Sequence, residues 1–249
     1  MSGLPPTPEM TSSAPSPAPS SWAVVAQVFH APTRAFEALR QAPRWWLALL
    51  ILLAASVATQ LVVIRHMDME GTVREQIASS ARGRQLSEEQ IEQAVQQGAK
   101  FAPIGAMMGV VATPVIFLII AAVYFLGLKV AGSEAEFKPV FATTLHAMLP
   151  PAVVGGAVTG LVVAQKGTIT GQEVARAVKS NLGAFLSPDA PAALRAAAEV
   201  LDIFNLWMWI LLAIGLSITG RIPRARAATV VAVVWVGWVG IRVLMATLF

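Results

Sequence analysis

Cysteine is absent from the chain. That absence excludes disulfides, thiolate metal ligation and thiol nucleophiles, and it leaves the redox compartment undetermined. Histidine is scarce as well: His30, His66 and His146 stand far apart, a distribution that makes no metal site. No glycine-rich phosphate loop is present, and no motif calls for a cofactor. A hydrolase needs a nucleophile and a base in one pocket. Ser217 and His146 are the only such pair within apolar sequence, and Gly215-Leu216-Ser217-Ile218-Thr219-Gly220 is not a nucleophile elbow. Charged residues make up only 13% of the chain, and the net charge of +4 comes from Lys and Arg gathered beside apolar runs. That pattern signals membrane topology and excludes a nucleic-acid patch. The chain reads as a non-enzymatic protein.

Apolar sequence is what abounds, at 56% of 249 residues, more than an ordinary soluble domain carries. A bilayer core of about 30 Å takes roughly 20 apolar residues per helix. Five runs reach that length: residues 45–64, 103–128, 140–163, 201–220 and 228–248. Strands of a membrane barrel would alternate and be about half as long. The expected fold is therefore all-α, a polytopic membrane bundle of five transmembrane helices with short interfacial and extramembrane helices, and its first partner is the lipid bilayer.

Before the first span, residues 1–21 hold Pro5, Pro6, Pro8, Pro15, Pro17 and Pro19 among serines. Such a segment cannot bury enough apolar surface to offset chain ordering, so a disordered tail is expected, followed by one membrane domain over 22–249. It also lacks the basic start and apolar core of a signal peptide. Val24, Val25, Val28, Phe29, Ala35, Phe36 and Leu39 have helical spacing divided by Pro32 and Pro43. Two arrangements fit: interfacial helices with Arg34, Arg40 and Arg44 at the headgroups and the phenylalanines dipping into lipid, or packing against the bundle. Polar sequence at 65–102 and 165–200 predicts two water-exposed helical excursions. Leu86-Ser87-Glu88-Glu89-Gln90 marks a helix start in the first. A helix over 171–185 and a second start at Ser187-Pro188-Asp189 are expected in the second.

Orientation follows from the density of Lys and Arg in short loops. Arg34, Arg40, Arg44, Lys129, Lys138, Arg221, Arg224 and Arg226 fall in short segments on one side, whereas the opposite cations are spread over two long segments. The amino terminus is expected in the cytoplasm and the carboxyl terminus outside.

Polar groups within lipid are costly and need partners. Counting about 1.5 Å per residue from the inner boundaries Trp45, Gly220 and Ala228 puts Gln60, Asn205 and Arg242 roughly 21–22 Å deep and Asp202 roughly 27 Å deep. These four residues are expected to form one cluster, with Arg242 paired to Asp202 and the amides of Asn205 and Gln60 completing the hydrogen bonds. Its expected role is a clasp between the fourth and fifth spans; the alternatives are snorkelling of Arg242 to the surface and a functional polar site. In the third span, Pro150-Pro151 removes the N–H donors owed to the carbonyls of His146 and Ala147. With Thr143, Thr144 and His146 beside it, the break is the candidate for a polar pocket or hinge, as in transporters with interrupted helices; the alternative is a structural kink with a hydrogen-bonded histidine. Thr113-Pro114 predicts a weaker kink. Gly105 with Gly109, and Gly156 with Gly160, have the spacing that lets helices approach closely. They leave a homo-oligomer or a protein partner open.

These residues together resemble bacterial members of the Yip1-domain family of five-span membrane proteins, over roughly residue 22 to the carboxyl end. Val28-Phe29 through Pro32, Ala35-Phe36 and Pro43-Arg44-Trp45 resemble the family's opening segment, and Leu86-Ser87-Glu88-Glu89-Gln90 its first polar excursion. Phe141 to Pro150 resembles its third span. Leu201-Asp202-Ile203-Phe204 to Trp207, followed by Ile214-Gly215-Leu216, resembles its most recognisable stretch. The resemblance implies a multi-pass protein of the bacterial inner membrane that organises membrane or recruits partners. Eukaryotic members are associated with Rab GTPases and vesicle traffic; the Pro-rich tail here lacks an acidic or aromatic GTPase-docking motif.

Overall fold

The architecture was taken from a computed structural model, which describes residues 19–79, 85–187 and 190–248. Residues 1–18 of the expected 1–21 tail and the helix start at Pro188-Asp189 lie outside the described residues, while Ser21 of that tail opens the first helix.

The chain opens with two short helices, α1 (Ser21–His30) and α2 (Pro32–Gln41). Ser20 caps α1 by accepting from the Ala23 N–H, and Pro32 opens α2, where its missing N–H costs nothing. Both helices turn their apolar stripe into the protein. Val24 and Val28, then Ala35, Phe36 and Leu39, join a core with Leu211, Leu212 and Leu216. Of the two arrangements, packing against the bundle describes Phe36, which is fully buried. Phe29 stays 41% exposed and meets the edge of Trp207 at 6.4 Å.

Four helices are long and apolar enough to cross a membrane: α3 (Trp46–His66), α5 (Glu88–Val130), α6 (Phe137–Lys166) and α10 (Arg224–Leu248). A fifth apolar helix, α9 (Ile203–Thr219), has 17 residues, the lower limit for a span of about 30 Å. Among the described residues no strand occurs, and the fold is an all-α polytopic membrane bundle.

Helix α6 is its axis and touches α1, α2, α3, α5, α9 and the short helix α7 (Gly171–Ala177). Helix α10 lies at the edge against α5, α9 and the short helix α8 (Ala192–Val200). Two observations differ from the sequence reading. The acidic helix start at Ser87 does begin a helix, with Ser87 and Gln90 forming a reciprocal capping box. That helix then continues without interruption into the second span, giving 43 residues: Gly98, packed against Val73, does not end it, and Pro103 and Pro114 are carried inside it. The expected break at Pro150-Pro151 is likewise absent, since α6 runs on for 30 residues. Packing holds it there: every residue from Val140 to Pro151 is buried.

Beyond the far ends of α3 and α6, the polar excursions dock on each other. Helix α4 (Met69–Ser79) doubles back against α5, and α7 (Gly171–Ala177) meets α4. Backbone bonds Asp68 N–H to Ile169 O and Ile169 N–H to His66 O, both 2.8 Å, join the two segments. The expected helix over 171–185 stops at Ala177. From Ser180 the chain is extended instead, because Leu182 donates to Leu201 O and Ile203 donates to Ser180 O. A single 3-10 turn (Leu182–Phe185) and α8 (Ala192–Val200) then lead to α9.

Candidate functional site

The four residues expected to form one intramembrane cluster separate into three places. Asp202 sits just outside α9 and caps it: one carboxylate oxygen accepts from the N–H groups of Phe204 (2.7 Å) and Asn205 (3.3 Å), and the other accepts from the Ser180 hydroxyl. Asn205 remains beside it, and its amide donates to the Val200 carbonyl at 3.1 Å. Arg242 is not their partner. It pairs with Glu199 of α8 at 3.1 Å, with both side chains close to half exposed. The expected Asp202–Arg242 pair fails because α9 begins one residue after Asp202, so the carboxylate faces its own helix end, while α8 packs on α10 and brings Glu199 within reach. Gln60 lies elsewhere, on α3, in a groove of about 510 Å³ with Ser56, Thr59, Gly109, Thr113 and Gly156.

Sequence reading missed Glu199 and Ser180. Glu199 was legible in principle, since it ends an alanine-rich helix able to pack closely on a neighbour. Ser180 was not, because its contact depends on the extended pairing of residues 180–182 with 201–203.

The second candidate group is brought together, although as packing. Thr143, Thr144 and His146 are all buried in the inner half of α6. Thr144 donates to the Val140 carbonyl at 2.9 Å, and the Thr143 and Thr219 hydroxyls lie 3.3 Å apart, with Thr219 also donating to the Gly215 carbonyl. His146 Nδ1 is 2.8 Å from the Ala142 carbonyl. A carbonyl only accepts, so Nδ1 carries a proton. These groups are hydrogen-bonded within the helix or to its neighbour α9.

The two candidate regions meet in one cleft. Between α6, α7 and α9 lies a space of about 390 Å³ lined by Pro151, Gly155, Thr159, Ser180, Asp202 and Phe204. Pro151 of the proline pair is thus part of its wall, and the Asp202 cap with Ser180 is its polar part. The Gln60 groove lies on another side of the same half of α6 and shares Ala152 and Gly156 with this cleft. A Cβ on Gly156 would stand 2.7 Å from the Thr59 hydroxyl, so α3 and α6 approach closely there. Gly105 and Gly109 of α5 have open space around them, so of the two glycine pairs only the one on α6 is used in a helix contact within this chain.

At the extramembrane junction Arg74 bonds Glu92 and Glu88, and the Glu92 carboxylate raises its pKa. The pair is solvent-exposed and screened. Thr170 joins the two excursions more firmly: its hydroxyl donates to Glu75 at 3.0 Å, while Gly171 donates to the Thr72 hydroxyl at 2.9 Å. Among the described residues no group of three or more His, Cys, Asp or Glu side chains converges to hold a metal ion.

A bundle of apolar helices, threaded several times through the bilayer and carrying a buried proline pair in its axis, defines a multi-pass integral membrane protein. The Yip1 domain matches residues 26–245, and the chain belongs to that family. It is also 28% identical over 211 residues, 84% of each chain, to a protein of Bacillus subtilis (strain 168) named membrane protein YknW. No solved structure matches the chain.

Proposed function

We propose that this protein is a non-enzymatic membrane scaffold that recruits partners or organises the bilayer around it. The observation that carries this reading is the packing of the axis. The inner half of α6, Val140 to Pro151, is buried on every face by α2, α3, α5 and α9, which favours a static role over a conduit for solute. The family and the name of its Bacillus relative point the same way, since both describe a membrane protein and no reaction. The amino terminus lies in the cytoplasm and the carboxyl terminus outside, in the cell membrane, on the strength of the basic short loops. The residues ahead of α1 then lie on the cytoplasmic side of one membrane domain. The open faces of α5, including Gly105 and Gly109, suit either a partner helix or a second copy.

A second reading is favoured by the two clefts flanking the outer half of α6. They make Pro150-Pro151 a hinge between a packed half and a loosely packed one, as a small transporter or channel component would need. One comparison separates the two. Purified protein is reconstituted in vesicles and assayed for solute flux, while a mild-detergent extract is analysed for co-purifying proteins. A stoichiometric partner without flux is expected; flux abolished by His146→Ala would overturn the scaffold reading.

A further inference from the structure

Helices α5 and α10 come together at one end of the bundle. A Cβ on Gly127 would lie 2.7 Å from a methyl of Val230, so the backbones are close there. Beside this crossing is a groove of about 570 Å³ whose apolar wall is formed by Val130, Val233 and Val234 and whose polar group at one end is Arg226. Val130 is 91% exposed and Val233 is 66% exposed, so the wall is open to the surroundings. Thr229 also borders it, with its hydroxyl committed to the Ala225 carbonyl. Arg226 and Val233 are seven residues apart on α10, about 10 Å along the helix axis.

The end of the bundle that holds Arg226 has an excess of cations, five beside Glu134 and Glu136 of the α5–α6 turn. Lys129 closes α5, Lys138 lies in the first turn of α6, and Arg221 and Arg224 precede Arg226, all of them exposed. Among the described residues, none of these five cations has a carboxylate within ion-pair distance. The first turn of α10 contains no acidic residue. A groove charged at its mouth and apolar along its length is complementary to a molecule with an anion at one end and hydrocarbon behind it.

We propose that the α5–α10 groove binds one anionic phospholipid, with its phosphate at Arg226 and an acyl chain along Val130 and Val233. An acidic protein segment would satisfy the cations and leave the valine wall uncovered. A zwitterionic lipid would cover the wall and leave the excess positive charge unanswered.

The test uses the full chain reconstituted in phosphatidylcholine vesicles with or without phosphatidylglycerol, extracted into mild detergent and examined by native mass spectrometry for retained lipid. One phosphatidylglycerol adduct per chain is expected, with no phosphatidylcholine adduct. Arg226→Gln should lower adduct occupancy about tenfold, with recovery in Arg226→Lys, because the interaction is with a phosphate charge. Val130→Trp, at an exposed position that leaves the core untouched, should fill the groove and lower occupancy similarly with every cation retained. Arg34→Gln, at an exposed position on α2, should have no effect. Equal retention of both lipids, adducts unaffected by Arg226→Gln and Val130→Trp, or an equal loss in Arg34→Gln would overturn the proposal in favour of a diffuse surface charge.

Discussion

Asp202 is the residue whose role the structure alters most. Its carboxylate satisfies two N–H groups at the start of α9 and accepts from Ser180, which joins the second excursion to the fourth span. Replacing it with alanine removes an N-cap, worth about 1 kcal/mol. Asp202→Ala should therefore lower the unfolding midpoint in detergent clearly, and Asp202→Asn much less, because the amide oxygen still accepts. Arg242→Ala should cost less than Asp202→Ala, since a half-exposed ion pair contributes about 0–1 kcal/mol. If Arg242→Ala proves the more damaging, the clasp read from depth alone was the better account. The depth count says nothing of direction, which for Asp202 is set by where α9 begins. Gly215 shows a different residue-scale constraint. A Cβ there would stand 2.5 Å from the Thr143 methyl and 2.9 Å from the Phe36 ring, so α2, α6 and α9 meet at a point without room. Overpacking of a filled core costs about 1–3 kcal/mol, and Gly215→Ala should show that loss in thermal unfolding, while Gly105→Ala, where the space is open, should show none.

At the scale of elements, long apolar runs were the most legible feature, because about 20 residues without charge have one outcome in lipid. Helix ends were read well where a side chain decides them, as at Ser87 with Gln90, and badly where tertiary contact decides them, as at Ala177. The proline pair was legible as a peculiarity of α6 but not as part of a continuous helix, since burial on every side, a property of the neighbours, holds the helix through it. The turn between α9 and α10 carries a further strain. Arg221 has φ of 52°, a left-handed conformation that costs an L-residue with a Cβ about 1–2 kcal/mol. The turn is held there by Ser133, whose hydroxyl donates to the Gly220 carbonyl at 2.6 Å. Arg221→Gly should raise the unfolding midpoint, and Ser133→Ala should lower it. A fall on Arg221→Gly would mean that the guanidinium contributes more than the backbone conformation costs.

For the whole molecule, the decisive quantity is which end faces the cytoplasm. The bundle has one end formed by α1, α2 and the α5–α6 and α9–α10 turns, and another formed by α4, α7, α8 and the start of α5. The first holds cations in short connections, and the second holds the acidic start of α5 at Glu88 and Glu89. Insertion energetics weight Lys and Arg near span ends far more than those in long loops, and the proposed orientation, with the first end in the cytoplasm, rests on that weighting. The absence of cysteine makes this directly measurable, because any introduced thiol is the only one in the chain. Ser87→Cys and Glu134→Cys sit at opposite ends, in exposed positions away from the packed core. In intact cells a membrane-impermeant maleimide should label Ser87→Cys at once and Glu134→Cys only after permeabilisation. The reverse pattern would invert the protein in the membrane, place α1 and α2 outside, and remove cytoplasmic recruitment from the roles open to it.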